Sequence, residues 1–301
     1  MKNRVFEGAA TAIITPFYPD GGIDFDSFGR LIDFQIESGI DAIVAAGTTG
    51  EGSTLTDEEH RAVIEFCVKR AAKRVPIIAG TGSNDIQYAK ELTRAACELG
   101  ADAMLLVTPY YNKATQAGLI KSFSEIADVS DKPCILYNVP SRTGCNILPE
   151  TAAVLSHHPN IVGIKEASGN ISQIAETARQ TDDDFSIYSG NDDQIVPVMS
   201  LGGSGVISVL SNLLPKETSD MCKRCLKGDY KSAAKMQLDY LPLVSALFSE
   251  VNPIPAKAAM AAMGYGSNTL RLPLTSIEKT HAEVLYKEMK NYNIIFKEEA
   301  L

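Results

Sequence analysis

A strand followed by a helix recurs eight times between residues 8 and 226, and this repeat constrains the fold more than any other feature of the chain. The strand segments are apolar and lack a clean polar–apolar alternation, which is typical of strands buried on both faces of a parallel sheet. The segments between them predict helices, among them 24–38 and 171–180, and Thr56 with Glu59 three residues on has the form of a capping box at a helix start. The predicted strands are 8–17, 42–47, 76–80, 103–108, 134–139, 161–166, 185–189 and 205–210.

Eight such units in succession fit a closed barrel, so we predict an α/β protein with a (β/α)8 TIM barrel. A doubly wound open sheet is the alternative that the pattern alone leaves open. After residue 228 the strands stop, and the sequence predicts only helices. We therefore expect a barrel of residues 1–227 with a C-terminal helical extension of residues 228–301 packed on it. The helices predicted in that extension are 231–248, 253–263 and 274–292.

Charge and composition argue against several classes of protein. The formal net charge is −9, and no dense basic cluster is present, so we expect no nucleic-acid partner. No apolar run approaches the ~18–20 residues of a membrane span, and residues 9–17 are interrupted by Thr11, Thr15 and Pro16, which favours a strand over a signal peptide. The six cysteines and four histidines are too scattered to predict a disulfide framework or a metal cluster. We expect a cytoplasmic protein with no metal and no membrane partner.

Polar segments follow the predicted strands at the edge where barrel enzymes carry their chemistry. If the barrel closes, these segments converge on a single site. The segments are Gly47–Gly52 after the second strand, 108–113 after the fourth, 137–144 after the fifth, Lys165 in the sixth, 189–192 after the seventh and Ile207 with Ser208 in the eighth.

Lys165 ends an apolar, β-branched strand, where an ammonium group is costly unless it has a purpose. One interpretation is a nucleophile that forms a Schiff base, since desolvation favours the neutral amine that attacks a carbonyl. The other is a buried lysine paired with a carboxylate, for which Glu166 is the adjacent candidate. Most other lysines occupy charged, helix-like surroundings, and Lys257 is the one other lysine in an apolar context.

Three further segments carry groups that could bind a carboxylate or relay protons. The Gly47–Gly52 loop can direct N–H groups and two threonine hydroxyls at a carboxylate, or it can be a plain tight turn. Tyr137 can relay protons to Lys165, or its hydroxyl can bind backbone. Arg142 can hold a substrate carboxylate in bidentate fashion, or it can form a surface salt bridge. Of Tyr110 and Tyr111, we expect one to pack and the other to face the chemistry.

In this order, the segments resemble the 4-hydroxy-tetrahydrodipicolinate synthase (dihydrodipicolinate synthase) family, in the pyruvate-dependent class I aldolase group. The resemblance covers essentially the whole chain. Any one segment is a weak signal, whereas all of them in order on the expected elements are specific. The segments are 47–51 (Gly-Thr-Thr-Gly-Glu), 109–112 (Pro-Tyr-Tyr-Asn), 137–144 (Tyr-Asn-Val-Pro-Ser-Arg-Thr-Gly), 163–168 (Gly-Ile-Lys-Glu-Ala-Ser), 189–192 (Ser-Gly-Asn-Asp) and 252–255 (Asn-Pro-Ile-Pro).

The resemblance implies that pyruvate forms an imine with Lys165 and that its enamine adds to L-aspartate-4-semialdehyde, after which ring closure follows with loss of water. No separate cofactor is implied, because the covalent imine supplies the activation. The resemblance places Tyr137, Thr48 and Tyr111 in the proton relay. It assigns substrate binding to four residues, with Ile207 acting through its backbone: Thr49, Ile207 and Gly190 at pyruvate and Arg142 at the semialdehyde carboxylate.

The resemblance also implies an oligomer. The tyrosine at position 111 would be lent across a dimer interface, so we expect at least a dimer and, from the family habit, a homotetramer. Lysine-inhibited members bind lysine near that interface, and the residues here that match their site include Ser53, His60, Asn84 and Tyr110. Tyr88 stands where sensitive members have a carboxylate, so we expect weak or absent inhibition by lysine.

Three alternative functions are open on the sequence. Within the same group, the chain can be a lyase for N-acetylneuraminate or a 2-keto-3-deoxy sugar acid, although such enzymes generally lack the arginine loop around Arg142. A barrel that has lost catalysis and serves as a binding protein would not need Lys165, Tyr137 and Thr48 together. A metal-dependent aldolase would need a ligand cluster.

Overall fold

Eight parallel strands pair in chain order, and β8 pairs back with β1 to close a barrel. This closure confirms the predicted TIM barrel and excludes the alternative of a doubly wound open sheet. The computed structural model describes residues 4–296. The strands are β1 (Gly8–Ala12), β2 (Ala42–Ala45), β3 (Ile77–Gly80), β4 (Ala103–Val107), β5 (Cys134–Asn138), β6 (Ile161–Glu166), β7 (Ser186–Ser189) and β8 (Gly205–Ser208).

Helices alternate with the strands. Several begin at the residues that the sequence marks as helix starts: Asp24 accepts a hydrogen bond from the Ser27 N–H, and Thr56 with Glu59 forms the predicted capping box. The helices of the barrel are α1 (Phe25–Glu37), α2 (Asp57–Ala71), α3 (Ile86–Glu98), α4 (Gln116–Ala127), α5 (Pro140–Thr143), α6 (Pro149–Ser156), α7 (Ile171–Gln180), α8 (Ile195–Ser200) and α9 (Pro215–Leu226).

The strands separate two apolar cores. One lies inside the barrel and includes Ala10, Val44 and Ile135, while the other lies between the strands and the helices and includes Ile43 and Leu136. Neighbouring residues of a strand point to opposite faces, so every strand residue faces one core or the other. This explains why the strands are apolar without alternation.

As far as residue 296, three helices follow the barrel: α10 (Tyr230–Leu247), α11 (Ile254–Ala262) and α12 (Lys279–Asn291). The first packs against α8 and α9 and so joins the extension to the barrel. The division between residues 1–227 and 228–301 stays a prediction. Among residues 4–296, no helix has both the length and the apolar character needed to span a bilayer.

Three local predictions are wrong. The first strand, expected over 8–17, ends at Ala12, because its pairing with β2 and β8 stops there. The helix expected over 274–292 begins only at Lys279, because the Glu278 N–H just before it donates to the Glu250 carboxylate at 2.8 Å and the preceding residues run irregularly. The loop expected after Tyr137 contains one helical turn, α5, which begins at Pro140, where a proline costs no helical hydrogen bond.

Candidate active site

A cavity of about 200 Å³ lies at the carboxyl ends of the strands. Barrel closure brings its walls together from segments that are distant in sequence, as the sequence argument requires. Six of the predicted site residues line it: Thr48, Thr49, Tyr137, Arg142, Lys165 and Gly190.

Lys165 and Tyr137 face each other inside the barrel. They are register partners on β6 and β5, and the Lys165 Nζ lies 4.3 Å from the centroid of the Tyr137 ring. Both side chains are 7% exposed. An amine and a phenol this close can act on the same carbonyl carbon, with the phenol moving protons while the amine bonds.

Glu166 does not pair with Lys165, because consecutive strand residues point to opposite faces. Its carboxylate accepts hydrogen bonds from Asn138 Nδ2 at 3.0 and 3.1 Å and from the Ser168 N–H at 2.8 Å. Burial raises the pKa of the Glu166 carboxyl, and these hydrogen bonds oppose that effect. The alternative in which Lys165 is half of an ion pair with Glu166 is therefore wrong.

The Gly47–Gly52 loop is a tight turn that also presents Thr48 and Thr49 to the cavity, so the two interpretations of it are compatible. The Glu51 N–H donates to the Thr48 carbonyl and the Gly52 N–H to the Gly47 carbonyl, each at 3.1 Å. The Thr49 hydroxyl accepts a hydrogen bond from Asn252 Nδ2 at 2.9 Å.

Arg142 lies on α5 with an exposed guanidinium at the cavity wall. Its Nη2 donates to the Asn252 carbonyl at 3.1 Å. A neutral carbonyl partner leaves the positive charge of Arg142 uncompensated, which suits an anion entering the cavity. Asn252 thus contacts both Arg142 and Thr49, a role that the sequence analysis missed although it lies in the quoted segment 252–255.

Gly190, just after β7, lines the cavity, whereas Ile207 on β8 is buried in the core inside the barrel and is not one of the residues that line it. A Cβ at Gly190 would lie 2.5 Å from the Ala167 Cβ, so only glycine fits there. Asp192 accepts hydrogen bonds from the Val209 N–H at 3.0 Å and the Leu210 N–H at 2.9 Å, and so fixes the backbone just after Ile207. Burial raises the pKa of the Asp192 carboxyl, while its hydrogen bonds and the charge of Lys165 oppose that shift.

Tyr111 stands apart from the other predicted catalytic residues. Its side chain is 92% exposed and its φ is +71°, a left-handed conformation that is uncommon for a residue other than glycine. Tyr110 is half-buried and lines a neighbouring cavity. The structure thus places Tyr110 on a cavity wall and Tyr111 at the surface.

The neighbouring cavity, of about 370 Å³, contains most of the predicted regulatory residues. Ser53, His60 and Tyr110 line it together with Tyr88, and Asn84 Nδ2 donates to the Tyr110 carbonyl at 3.2 Å. The His60 Nε2 lies 2.8 Å from the Gly80 carbonyl, and burial lowers the pKa of the imidazole. This cavity shares Thr48, Tyr137 and Arg142 with the first cavity.

Over residues 4–296, no group of three or more histidine, cysteine, aspartate or glutamate side chains is arranged to hold a metal ion. The six cysteines are all free, and those of the Cys-x-x-Cys pair, Cys222 and Cys225, are buried. Burial raises the pKa of both thiols, which favours the inert protonated form.

Comparisons with known proteins agree with this geometry. The model of the dihydrodipicolinate synthetase family matches residues 5–292. The 4-hydroxy-tetrahydrodipicolinate synthase of Lachnoclostridium phytofermentans is 56% identical over 292 residues, which are 97% of this chain and 99% of that protein. The crystal structure of dihydrodipicolinate synthase from Aquifex aeolicus has a TM-score of 0.95 at 43% identity and covers 97% of this chain and 100% of its own. That of the Acinetobacter baumannii enzyme complexed with pyruvate has a TM-score of 0.94 at 45% identity, with coverage of 96% and 99%.

Proposed function

Because the chain belongs to the dihydrodipicolinate synthetase family, we propose that its cavity condenses pyruvate with L-aspartate-4-semialdehyde through an imine on Lys165. The chain is a lyase that forms 4-hydroxy-tetrahydrodipicolinate, on the pathway to diaminopimelate and lysine. The comparisons favour this reaction over that of a lyase for N-acetylneuraminate or a keto-deoxy sugar acid.

The reaction begins when the Lys165 amine attacks the C2 carbonyl of pyruvate and water leaves to give the imine. Loss of a proton from C3 gives an enamine, which attacks the aldehyde carbon of the semialdehyde and forms a carbon–carbon bond. The semialdehyde amine then attacks the imine carbon and displaces Lys165 as the ring closes. The two substrates thus yield one cyclic product and one water.

The surrounding residues take roles that match their positions. Tyr137, at the Lys165 amine, moves protons during imine formation and release, and Thr48 links it to the rest of the relay. Thr49 and Gly190, with the backbone of Ile207, hold the pyruvate carboxylate. Arg142 holds the carboxylate of the semialdehyde.

The observation that carries this proposal is the pairing of a buried lysine with a tyrosine 4.3 Å away, on the wall of a cavity that also presents Arg142 and the threonine loop. An imine needs an amine with a proton relay beside it, and the buried Lys165 and Tyr137, each 7% exposed, can supply both. A keto acid with a second, carboxylate-bearing substrate fits a cavity with two separate carboxylate-binding groups.

Borohydride reduction in the presence of pyruvate, followed by peptide mass mapping, tests the proposal. Reduction should fix the three pyruvate carbons on the peptide that contains Lys165. Lys257, which is also buried but is paired with Glu51, should stay unlabelled and serves as an internal control. Label on any lysine other than Lys165 would contradict the assignment.

Lys165→Arg should lose nearly all turnover while the protein stays folded, because guanidinium keeps the charge but forms no imine at neutral pH. Circular dichroism checks the fold, and a coupled assay for the condensation measures the turnover. Retained turnover would remove Lys165 from the mechanism.

We also infer that the active form is at least a dimer, since the exposed Tyr111 needs a neighbouring subunit to reach a cavity. A homotetramer is the form that the resemblance to the family implies. The cytoplasm stays the predicted location, and a reaction without a metal or separate cofactor stays a prediction.

A further inference from the structure

Lys257 is a buried lysine that the proposed reaction does not use. It lies on α11 of the C-terminal extension and is 0% exposed. Its Nζ donates to the Glu51 carboxylate and lies 3.7 Å from the centroid of the Phe17 ring. The Glu51 side chain is equally buried, so both charges of this ion pair are removed from water.

Glu51 ends the turn that carries Thr48 and Thr49. Its φ is +54°, in the left-handed region that a residue with a side chain seldom occupies. Its N–H donates to the Thr48 carbonyl at 3.1 Å, which closes the turn. The conformation of Glu51 therefore decides how the two threonines enter the cavity.

The carboxylate of Glu51 is held at both of its oxygens by the C-terminal extension. The Lys257 Nζ donates a hydrogen bond to one oxygen, and the Arg271 N–H donates to the other at 3.0 Å. No other segment between residues 4 and 296 gives this carboxylate a hydrogen bond. The C-terminal extension thus holds the turn in place through the Glu51 side chain, which does not line the cavity.

Burying an ion pair costs free energy of desolvation. Desolvation of two charges often offsets their attraction, and an apolar pair of similar volume is frequently no less stable. Burial lowers the pKa of Lys257 to about 8, with the Glu51 charge opposing that shift, which reflects this cost. A hydrogen-bonded ion pair fixes the orientation of both side chains, which an apolar pair does not. A fixed orientation of the Glu51 side chain holds its left-handed backbone in one place.

We propose that Lys257 is a positioning residue for the condensation, which holds Glu51 and through it sets the hydroxyls of Thr48 and Thr49. Lys257 touches no substrate. This inference rests on the proposed function, because it needs Thr49 to bind pyruvate and Thr48 to relay protons.

Lys257→Met keeps the length of the side chain and removes the donor. The turn should loosen, so that the KM for pyruvate rises at least fivefold and kcat falls on the order of 10–100-fold, the usual size of a small misplacement. The KM for the semialdehyde should change less than twofold, because Arg142 is held by Asn252 and not by Glu51.

Loss of folding is separated from loss of positioning by two further variants. Lys257→Met leaves a buried, unpaired carboxylate, whereas the double variant Glu51→Gln with Lys257→Met removes both charges and should regain most of the melting temperature. The directional contact is absent in both, so both should show the same kinetic defect. The matched control is Tyr230→Phe, which removes a hydrogen bond between extension and barrel, from the Tyr230 hydroxyl to the Met199 carbonyl at 3.2 Å, and involves neither Glu51 nor Arg271.

The inference is supported if both Lys257 variants lose pyruvate affinity and turnover while Tyr230→Phe lowers only the melting temperature. It is overturned if folded Lys257→Met, or the double variant, has wild-type constants, or if Tyr230→Phe reproduces the kinetic defect. Borohydride trapping of pyruvate by the wild-type enzyme is run alongside. Failure there would overturn the proposed function itself, whereas trapping with unchanged kinetics in the variants overturns only the role of Lys257.

Discussion

Lys165 and Lys257 are both buried lysines, and they differ in what each amine contacts. The Lys257 ammonium is bound by a carboxylate and has no lone pair free for a carbonyl carbon. The Lys165 amine instead lies on the wall of a cavity beside the ring of Tyr137. A buried lysine can therefore hold a carboxylate, as Lys257 does, or lie open to a substrate carbonyl, as Lys165 does. The neighbouring side chain determines which of the two it does.

Tyr137→Phe should slow the condensation by roughly 10²–10⁴-fold, the usual contribution of a general acid–base group. The ring that packs against Lys165 is kept, and only the hydroxyl is lost. The steady-state rate at saturating pyruvate and semialdehyde measures the effect.

Tyr188→Phe provides the matched control for Tyr137→Phe. Tyr188 is a buried tyrosine on β7 whose hydroxyl donates to the Phe6 carbonyl at 2.9 Å, away from the cavity lining. Its loss should lower stability by about 1 kcal/mol and leave the rate near wild type. A slowing below about threefold for Tyr137→Phe would mean that another group carries the proton.

Weak or absent inhibition by lysine is expected from Tyr88, which lines the neighbouring cavity with His60 and Tyr110. The Asp57 carboxylate at the start of α2 is paired with Arg61 at 2.8 Å, so its charge is already compensated. None of the described residues that line this cavity is an aspartate or glutamate, so a lysine ammonium finds no carboxylate on its walls. Millimolar lysine should leave turnover within a few per cent of its value, and Tyr88→Glu should make the enzyme sensitive. Half-inhibition of the wild type at millimolar lysine would show the expectation to be wrong.

At the scale of elements, helix α2 is joined to strand β3 by His60, whose Nε2 lies 2.8 Å from the Gly80 carbonyl. Burial lowers the pKa of this imidazole, because the charged form is poorly solvated there. The folded protein therefore holds His60 neutral at a pH where the unfolded chain binds a proton. The stability that this provides is complete above the ordinary histidine pKa of about 6.5 and is lost as the pH falls through the lower folded value.

Wild type should consequently lose more free energy of unfolding between pH 7.5 and pH 5.5 than His60→Gln, which cannot titrate. Urea unfolding at the two pH values measures both losses, and the comparison cancels the contributions of the other histidines. An equal or larger loss in His60→Gln would show that His60 is not the group responsible.

The sequence predicted the elements well where the signals are local. Helix α7 begins and ends at the expected residues, and the capping box at Thr56 marks α2, because capping and periodicity depend on neighbours in the chain. The start of α12 was missed because it depends on Glu250, 28 residues away from Glu278.

The site follows the same rule. Lys165, Tyr137 and Arg142 were found from their positions at strand ends, since barrel closure alone brings those ends together. Asn252 and Lys257 were not assigned roles, because their partners lie 203 and 206 residues away. Apolar surroundings singled out Lys257 but could not indicate which carboxylate it contacts.

At the scale of the whole molecule, one chain supplies the cavity with Lys165, Tyr137 and Thr48 but leaves Tyr111 with a 92% exposed side chain. An exposed tyrosine in a left-handed conformation is costly without a partner surface. If a second copy receives it, the symmetry of a two-fold dimer makes each subunit lend its tyrosine to the other.

Subunit mixing tests this exchange. Tyr111→Phe and Lys165→Arg are each expected to be poorly active alone. When they are co-expressed in equal amounts, half of the dimers are mixed, and in each mixed dimer one site combines an intact Lys165 with an intact Tyr111 lent by the partner. Activity should recover to about a quarter of the wild-type value.

Co-expression of Tyr137→Phe with Lys165→Arg is the matched control for the mixing experiment. Both substitutions affect groups that one subunit supplies to its own cavity, so no mixed dimer contains a complete site and activity should stay at the mean of the parents. Recovery with Tyr111→Phe but not with Tyr137→Phe can arise only if the tyrosine crosses between subunits, because a residue used within its own chain cannot be restored by a partner. Equal results in the two mixtures would confine Tyr111 to its own subunit and remove the need for an oligomer in catalysis.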